Sequence, residues 1–145
     1  WIYDLLQVGF TILNLQTIFV FDMVDSKILE EKCNVMLKNK DVRFCGIVNS
    51  MGRQVVGGYQ NEITPLVDSE EHKMCMEYTL GMFITTDLDD ALGATEYIVS
   101  KRKKVTMISI PLKTHLILLS VEPHANEKDV IQKVVDLFSD VVDYW

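Results

Sequence analysis

Apolar and polar positions recur along the chain with a period that changes from segment to segment. In residues 27–38, Ile28, Leu29, Cys33, Met36 and Leu37 repeat at helical spacing, with Glu30, Glu31, Lys32 and Lys38 between them. That pattern predicts an amphipathic helix, capped by Asp25 or Ser26 and ending at Asn39. From Val42 the period drops to two. Val42, Phe44, Gly46 and Val48 alternate with Arg43, Cys45, Ile47 and Asn49. Apolar residues on both sides predict a strand covered on both faces. Asn49-Ser50-Met51-Gly52 is turn chemistry, and Arg53–Val56 is the return strand of a β-hairpin. Gly57-Gly58 is expected to end that strand in a bulge or bend.

A loop with Pro65 follows. Asp68 and Glu71 then stand at capping-box spacing, and helical periodicity runs on to about Thr86. Met74, Cys75, Tyr78, Met82 and Thr85 mark the buried face of this helix, widened by Leu80, Phe83 and Ile84. Gly81 inside it is expected to admit a close neighbour. Met74, Met76 and Met82 read as core filling or as an adaptable contact surface. Asp87-Leu88-Asp89-Asp90 reads as a solvated acidic loop, since the spacing of a calcium loop is missing. Thr95–Ser100, Val105–Ile110 and Leu116–Val121 are three further strands, with Pro111 and Pro123 closing the last two. Leu116–Val121 is apolar almost throughout, which suits a central position. Asn126 caps a last helix whose broad apolar face holds Val130, Ile131, Val134, Val135, Leu137 and Phe138. The order is α-β-β-α-β-β-β-α. It predicts an α/β chain of the α+β kind, with one five-stranded antiparallel sheet flanked by helices.

Residues 1–22 stand apart from this order. They are rich in apolar residues, and no Lys or Arg occurs before Lys27. Their length would cross a bilayer, but Asp4, Gln7, Asn14 and Gln16 interrupt the run. Three readings stay open for this N-terminal extension: a docked helix, a membrane anchor, or a non-native stretch ahead of Met23. Residues 23–145 form the expected domain.

The chain has 145 residues, 48% of them apolar, and a net charge of -7. That is enough for one domain with a hydrophobic core. The acidic balance argues against nucleic-acid binding, which needs a basic surface. Cys33, Cys45 and Cys75 are scattered, with no CxxC, and suit reduced, buried thiols in a cytoplasmic protein. Gly57-Gly58 lacks the spacing of a phosphate-binding loop. His72 and Cys75 share a helical spacing but are two ligands only, so no metal or cofactor is expected. No catalytic set appears, and no enzyme is expected. The basic run Lys101-Arg102-Lys103-Lys104 is a solvated turn or a contact for an anionic partner or membrane surface.

The hairpin Phe44-Cys45-Gly46-Ile47-Val48-Asn49-Ser50-Met51-Gly52-Arg53-Gln54-Val55, set between two helices, resembles the first hairpin of the roadblock/LC7 family, relatives of profilin. Val42-Arg43-Phe44, Asn49-Ser50-Met51-Gly52, Glu71-His72-Lys73-Met74 and Val121-Glu122-Pro123 resemble a group of small uncharacterised archaeal proteins of this type. The resemblance covers residues 26–138. It implies a non-enzymatic interaction module that forms a homodimer and presents a platform to a signalling partner such as a small GTPase. It implies no active-site residue. The alternative is a small-molecule sensor with a pocket between sheet and helices, motivated by the Met, Cys and Tyr content of the second helix.

Overall fold

Helix α1 covers residues 26–37, and strands β1 (Val42–Asn49) and β2 (Gln54–Tyr59) form the hairpin. Helix α2 (Glu71–Phe83), a 3-10 turn (Thr86–Leu88) and the short α3 (Asp89–Leu92) follow. Strands β3 (Ile98–Lys101), β4 (Thr106–Leu112) and β5 (His115–Val121) lead to helix α4 (Glu127–Phe138). The computed structural model describes residues 26–67, 69–112 and 114–141. The expectations for residues 1–22 and for caps at Asp25 and Asp68 lie outside them.

The strands make one five-stranded antiparallel sheet in the order β2-β1-β5-β4-β3. The apolar run of β5 takes the centre, as its sequence predicts. α1 and α4 cover one face. Leu29, Cys33 and Met36 from α1 and Val130, Val134 and Phe138 from α4 meet Ile47, Ile108, Ile117 and Leu119 there. Each such side chain contributes about 1.5–3 kcal/mol by leaving water. Lys32 ties the two helices at their edge, with Nζ 2.8 Å from the Leu137 carbonyl and 3.0 Å from the Asp140 carboxylate. The Asn126 cap forms as expected, accepting from the backbone N–H groups of Lys128 and Asp129.

α2 covers the opposite face, over Phe44, Val48, Val105, Met107, Leu116 and Leu118. Val42 does not share this face with Phe44, although strict alternation places it there. The β1–β5 register shifts between Val42 and Phe44 and turns Val42 to the α1/α4 side.

All three cysteines are free thiols and buried. The Cys33 side chain hydrogen-bonds Cys45, which, with burial, raises the Cys45 pKa. Burial, then Glu71, pushes the Cys75 thiol up to about 11. Burial likewise pushes Tyr59 up to about 12, with Glu71 and Cys75 adding to it. These groups hold their protons more tightly folded than unfolded. The stability they contribute is intact below about pH 9, and it is lost as pH climbs through the folded values near 11 and 12. Urea midpoints are therefore expected to fall steadily between pH 9 and 12. Cys75→Ala should flatten the first part of that fall, and an unchanged pH profile in this variant would contradict the assignment.

Several predicted boundaries move: α1 ends at residue 37 rather than Asn39, β3 begins at Ile98 rather than Thr95, and four further shifts have a local reason. β2 does not end at Gly57-Gly58 but runs through them to Tyr59, because Gly57 pairs with Gly46 and Gly58 with Cys45. β4 passes Pro111. It pairs with β3 only from Thr106 to Ser109, so Pro111 has a strand partner on the β5 side alone, where it stands opposite Leu116. Lys101 belongs to β3, opposite Thr106, and the turn closes on Arg102 N–H to Val105 carbonyl at 3.0 Å. α2 starts at Glu71 and stops at Phe83, where the Thr86 hydroxyl donates to the Phe83 carbonyl at 3.0 Å. The expected acidic loop is the 3-10 turn and α3, with Asp89 and Asp90 at the helix start.

Gly81 admits no close neighbour. A methyl group there would meet nothing within 4 Å. Gly81→Ala is expected to stabilise the protein by about 0.5–1 kcal/mol, read as a higher urea midpoint, since it removes backbone entropy from an exposed helical position.

Candidate interaction surface

The outer side of α2 is apolar. Met76, Leu80 and Ile84 follow at steps of four and are exposed by 47%, 65% and 67%. Leu88 and Leu92 continue the same step through the 3-10 turn and α3, and both are exposed. Leu80, Ile84 and Thr85, which the sequence pattern places on the buried face, are exposed. Cys75 and Met82 are buried as expected, Thr79 joins them, and Met74, Tyr78 and Phe83 are half-buried. The three methionines therefore divide: Met82 fills the core, and Met76 faces out.

The β1–β2 turn closes one end of this surface. The Asn49 side chain accepts from the N–H groups of Met51 and Arg53, both at 3.0 Å, and holds the turn. Gly52 has a φ of 78°, and a side chain there would strike Met76. The turn thus rests directly on α2. Between them lies a shallow apolar groove of about 440 Å³, with Met51, Met76, Leu80 and Phe83 along it. The Thr79 hydroxyl is buried beside this groove and has no hydrogen-bond partner among the described residues.

The other end of the surface reaches β3, an edge strand of the sheet. A cleft between α2 and β3 is lined by Gly81, Met82, Ile98 and Ser100. Ile98 and the preceding Tyr97 are exposed. Among the described residues, no hydrogen bond falls on the outer backbone edge of β3. The β2 edge differs, because the Gln54 side chain donates to the Gly57 carbonyl along it.

The four residues of the basic run are not placed alike. Lys101 Nζ turns to the start of α4, 2.8 Å from the Pro123 carbonyl and 3.9 Å from Glu127. Arg102, Lys103 and Lys104 stay exposed at the hairpin turn. His72 is exposed while Cys75 is buried, and among the described residues no three metal-binding side chains come together. Among the described residues, no helix is long and apolar enough to cross a membrane.

This fold is that of roadblock/LC7 domains. The chain is similar to the Roadblock/LC7 domain from Streptomyces avermitilis, with a TM-score of 0.61 and 8% identity over 79% of this chain and 95% of that one. It is similar to Myxococcus xanthus MglB, with a TM-score of 0.65 and 9% identity over 82% and 88%. Schizosaccharomyces pombe profilin follows the same course with a TM-score of 0.51 and 10% identity over 79% and 94%. None of the curated proteins matches the sequence. Residues 21–144 match the family described as "Family of unknown function (DUF6659)", and the chain belongs to that family.

Proposed function

We propose that the protein is a non-enzymatic regulatory scaffold. It pairs with a second copy through α2 and the β3 edge and presents the joined surface to a signalling protein. The roadblock resemblance implies a small GTPase for that partner. Reduced thiols suit a cytoplasmic setting. One observation carries this reading: an exposed apolar stripe, Met76-Leu80-Ile84, beside an edge strand that has no outer partner among the described residues. A contiguous apolar patch on a monomer marks a contact site. An open strand edge is a template for pairing. Together they offer a second copy both main-chain hydrogen bonds and apolar burial. A stable interface needs about 800 Å² per partner, and the two features adjoin on one side of the molecule.

Sedimentation equilibrium of the full chain tests the pairing. The wild type is expected as a dimer at micromolar concentration. The double variant Leu80→Glu with Ile84→Glu is expected to weaken self-association at least a hundredfold. Its circular dichroism should stay unchanged, because both side chains stand in solvent and such substitutions shift fold stability by only about 0.5 kcal/mol. A wild type that stays monomeric, or a double variant that stays dimeric, would overturn the reading. The partner is tested next. Small GTPases of the host, loaded with GDP or with a non-hydrolysable GTP analogue, are expected to bind the dimer at least tenfold better in one state.

A further inference from the structure

On the α2 side of the sheet, the first turns of the helix stand away from the strands and leave a cleft of about 220 Å³. Its floor is Ser120 of β5 beside its ladder neighbour Met107 of β4. Tyr59 from β2 and Met74 and Tyr78 from α2 form the walls. The segment Leu66-Val67 lies over the opening. Arg43 anchors the loop that carries this segment, donating to Glu122 at 2.8 Å and to the Thr64 carbonyl at 3.0 Å.

Two hydroxyl-bearing side chains line this well. Ser120 is 6% exposed and lies on the cleft floor. Tyr59 stands in the wall, its ring packed against Phe44. A polar group placed in a largely apolar cleft is where a ligand atom is oriented by a hydrogen bond.

The cleft opens onto the basic turn. A neighbouring groove shares Leu66, Val67, Arg102 and Val105 with it and adds Lys103 and Lys104. Arg43 is neutralised by Glu122, and Lys101 lies near Glu127. Lys73 lies 4.0 Å from Glu77. Among the described residues, Arg102, Lys103 and Lys104 then remain along the two openings, against Glu70. This local excess of positive charge stands out on a chain whose net charge is -7. An apolar well with a cationic mouth matches one ligand chemistry. Its size is slightly below that of drug-binding pockets and suits one or two rings.

We propose that this cleft binds a small organic anion with a flat apolar body. The body lies between Tyr59, Tyr78 and Met107, and the acid group rests on Arg102 and the lysine pair. Ser120 meets a polar atom at the inner end. The site does not depend on a second copy, because all its residues come from one chain.

Isothermal titration of the full chain with 2-naphthalenesulfonate tests this, beside neutral 2-naphthalenemethanol and inorganic phosphate. The sulfonate is expected to bind at one site with micromolar affinity, weakening as salt rises. The alcohol should bind at least tenfold more weakly, and phosphate should show no measurable binding. Ser120→Leu, which fills the floor, should abolish sulfonate binding, and the exposed Arg102→Glu should weaken it at least tenfold. Leu80→Glu, on the outer side of α2, should bind as the wild type does. If Ser120→Leu proves misfolded by circular dichroism, Arg102→Glu decides alone. The proposal is overturned by no sulfonate binding at millimolar concentration, by alcohol binding as tight as sulfonate, by phosphate binding as tight as sulfonate, or by full affinity in Arg102→Glu.

Discussion

Phe44→Ala is expected to lower the unfolding free energy by about 3–5 kcal/mol. Phe44 is fully buried at the heart of the α2-side core, beside Val48, Leu116 and Leu118. Its ring lies 4.9 Å from that of Tyr59, centroid to centroid. Gly46 makes the room. A side chain at residue 46 would begin 2.8 Å from the tip of the Phe44 ring. Truncation removes the largest side chain of this core and leaves a cavity that β1, held by β2 on one side and β5 on the other, cannot close. A loss of this size is a large share of the 5–15 kcal/mol that a domain of this kind holds in total. Urea titration followed by circular dichroism measures it, with an unchanged slope showing that the unfolded state is the same. The effect reaches the surface too. Tyr59 loses its ring contact, so the cleft wall loosens and sulfonate affinity should fall even in the folded fraction. A loss under about 1.5 kcal/mol would mean that the core repacks, and that α2 is seated by other residues.

The sheet was legible in the sequence because its signals are local. Period-two alternation located β1, an unbroken apolar run marked β5 as central, and Asn126 announced α4. Three things escaped for physical reasons. Glycine and proline read as breakers, yet Gly57-Gly58 continue β2 and Pro111 continues β4. Whether such a residue breaks a strand depends on the strand beside it, which sequence order does not reveal. α2 is apolar on nearly every side, so periodicity could not tell its buried face from its exposed one. The four-residue step of Met76, Leu80, Ile84, Leu88 and Leu92 was the available signal for the exposed one. The organic-anion cleft was the least legible. Tyr59, Tyr78, Met107 and Ser120 come from four elements, and only the sheet order brings them together. The basic run was visible, but Lys101 departs from it because its ammonium reaches the start of α4.

Gly57→Ala is expected to destabilise the fold by about 2–6 kcal/mol, whereas Gly58→Ala, one residue on, should stay within about 1 kcal/mol of the wild type. The chemical change is the same, so the difference rests on surroundings. Gly57 has a φ of 97°, a conformation that costs a residue with a side chain about 1–3 kcal/mol. A methyl group there would also lie against the Cys45 carbonyl oxygen and 2.6 Å from the Gly46 Cα. Both are backbone atoms of β1, held on the far side by pairing with β5. They cannot give way as a flexible side chain would, so the overlap adds about 1–3 kcal/mol more. A methyl group on Gly58 meets nothing within 4 Å, and its φ is ordinary. Urea melts of the two variants, run side by side, read the contrast directly. Equal losses would show that the glycine pair serves only as flexible backbone. Unequal losses in the expected order would show that Gly57 is where β2 and β1 approach most closely. In that case the Gly57 variant should also lose sulfonate affinity, since β2 positions Tyr59 at the cleft and is the strand this methyl group would push away.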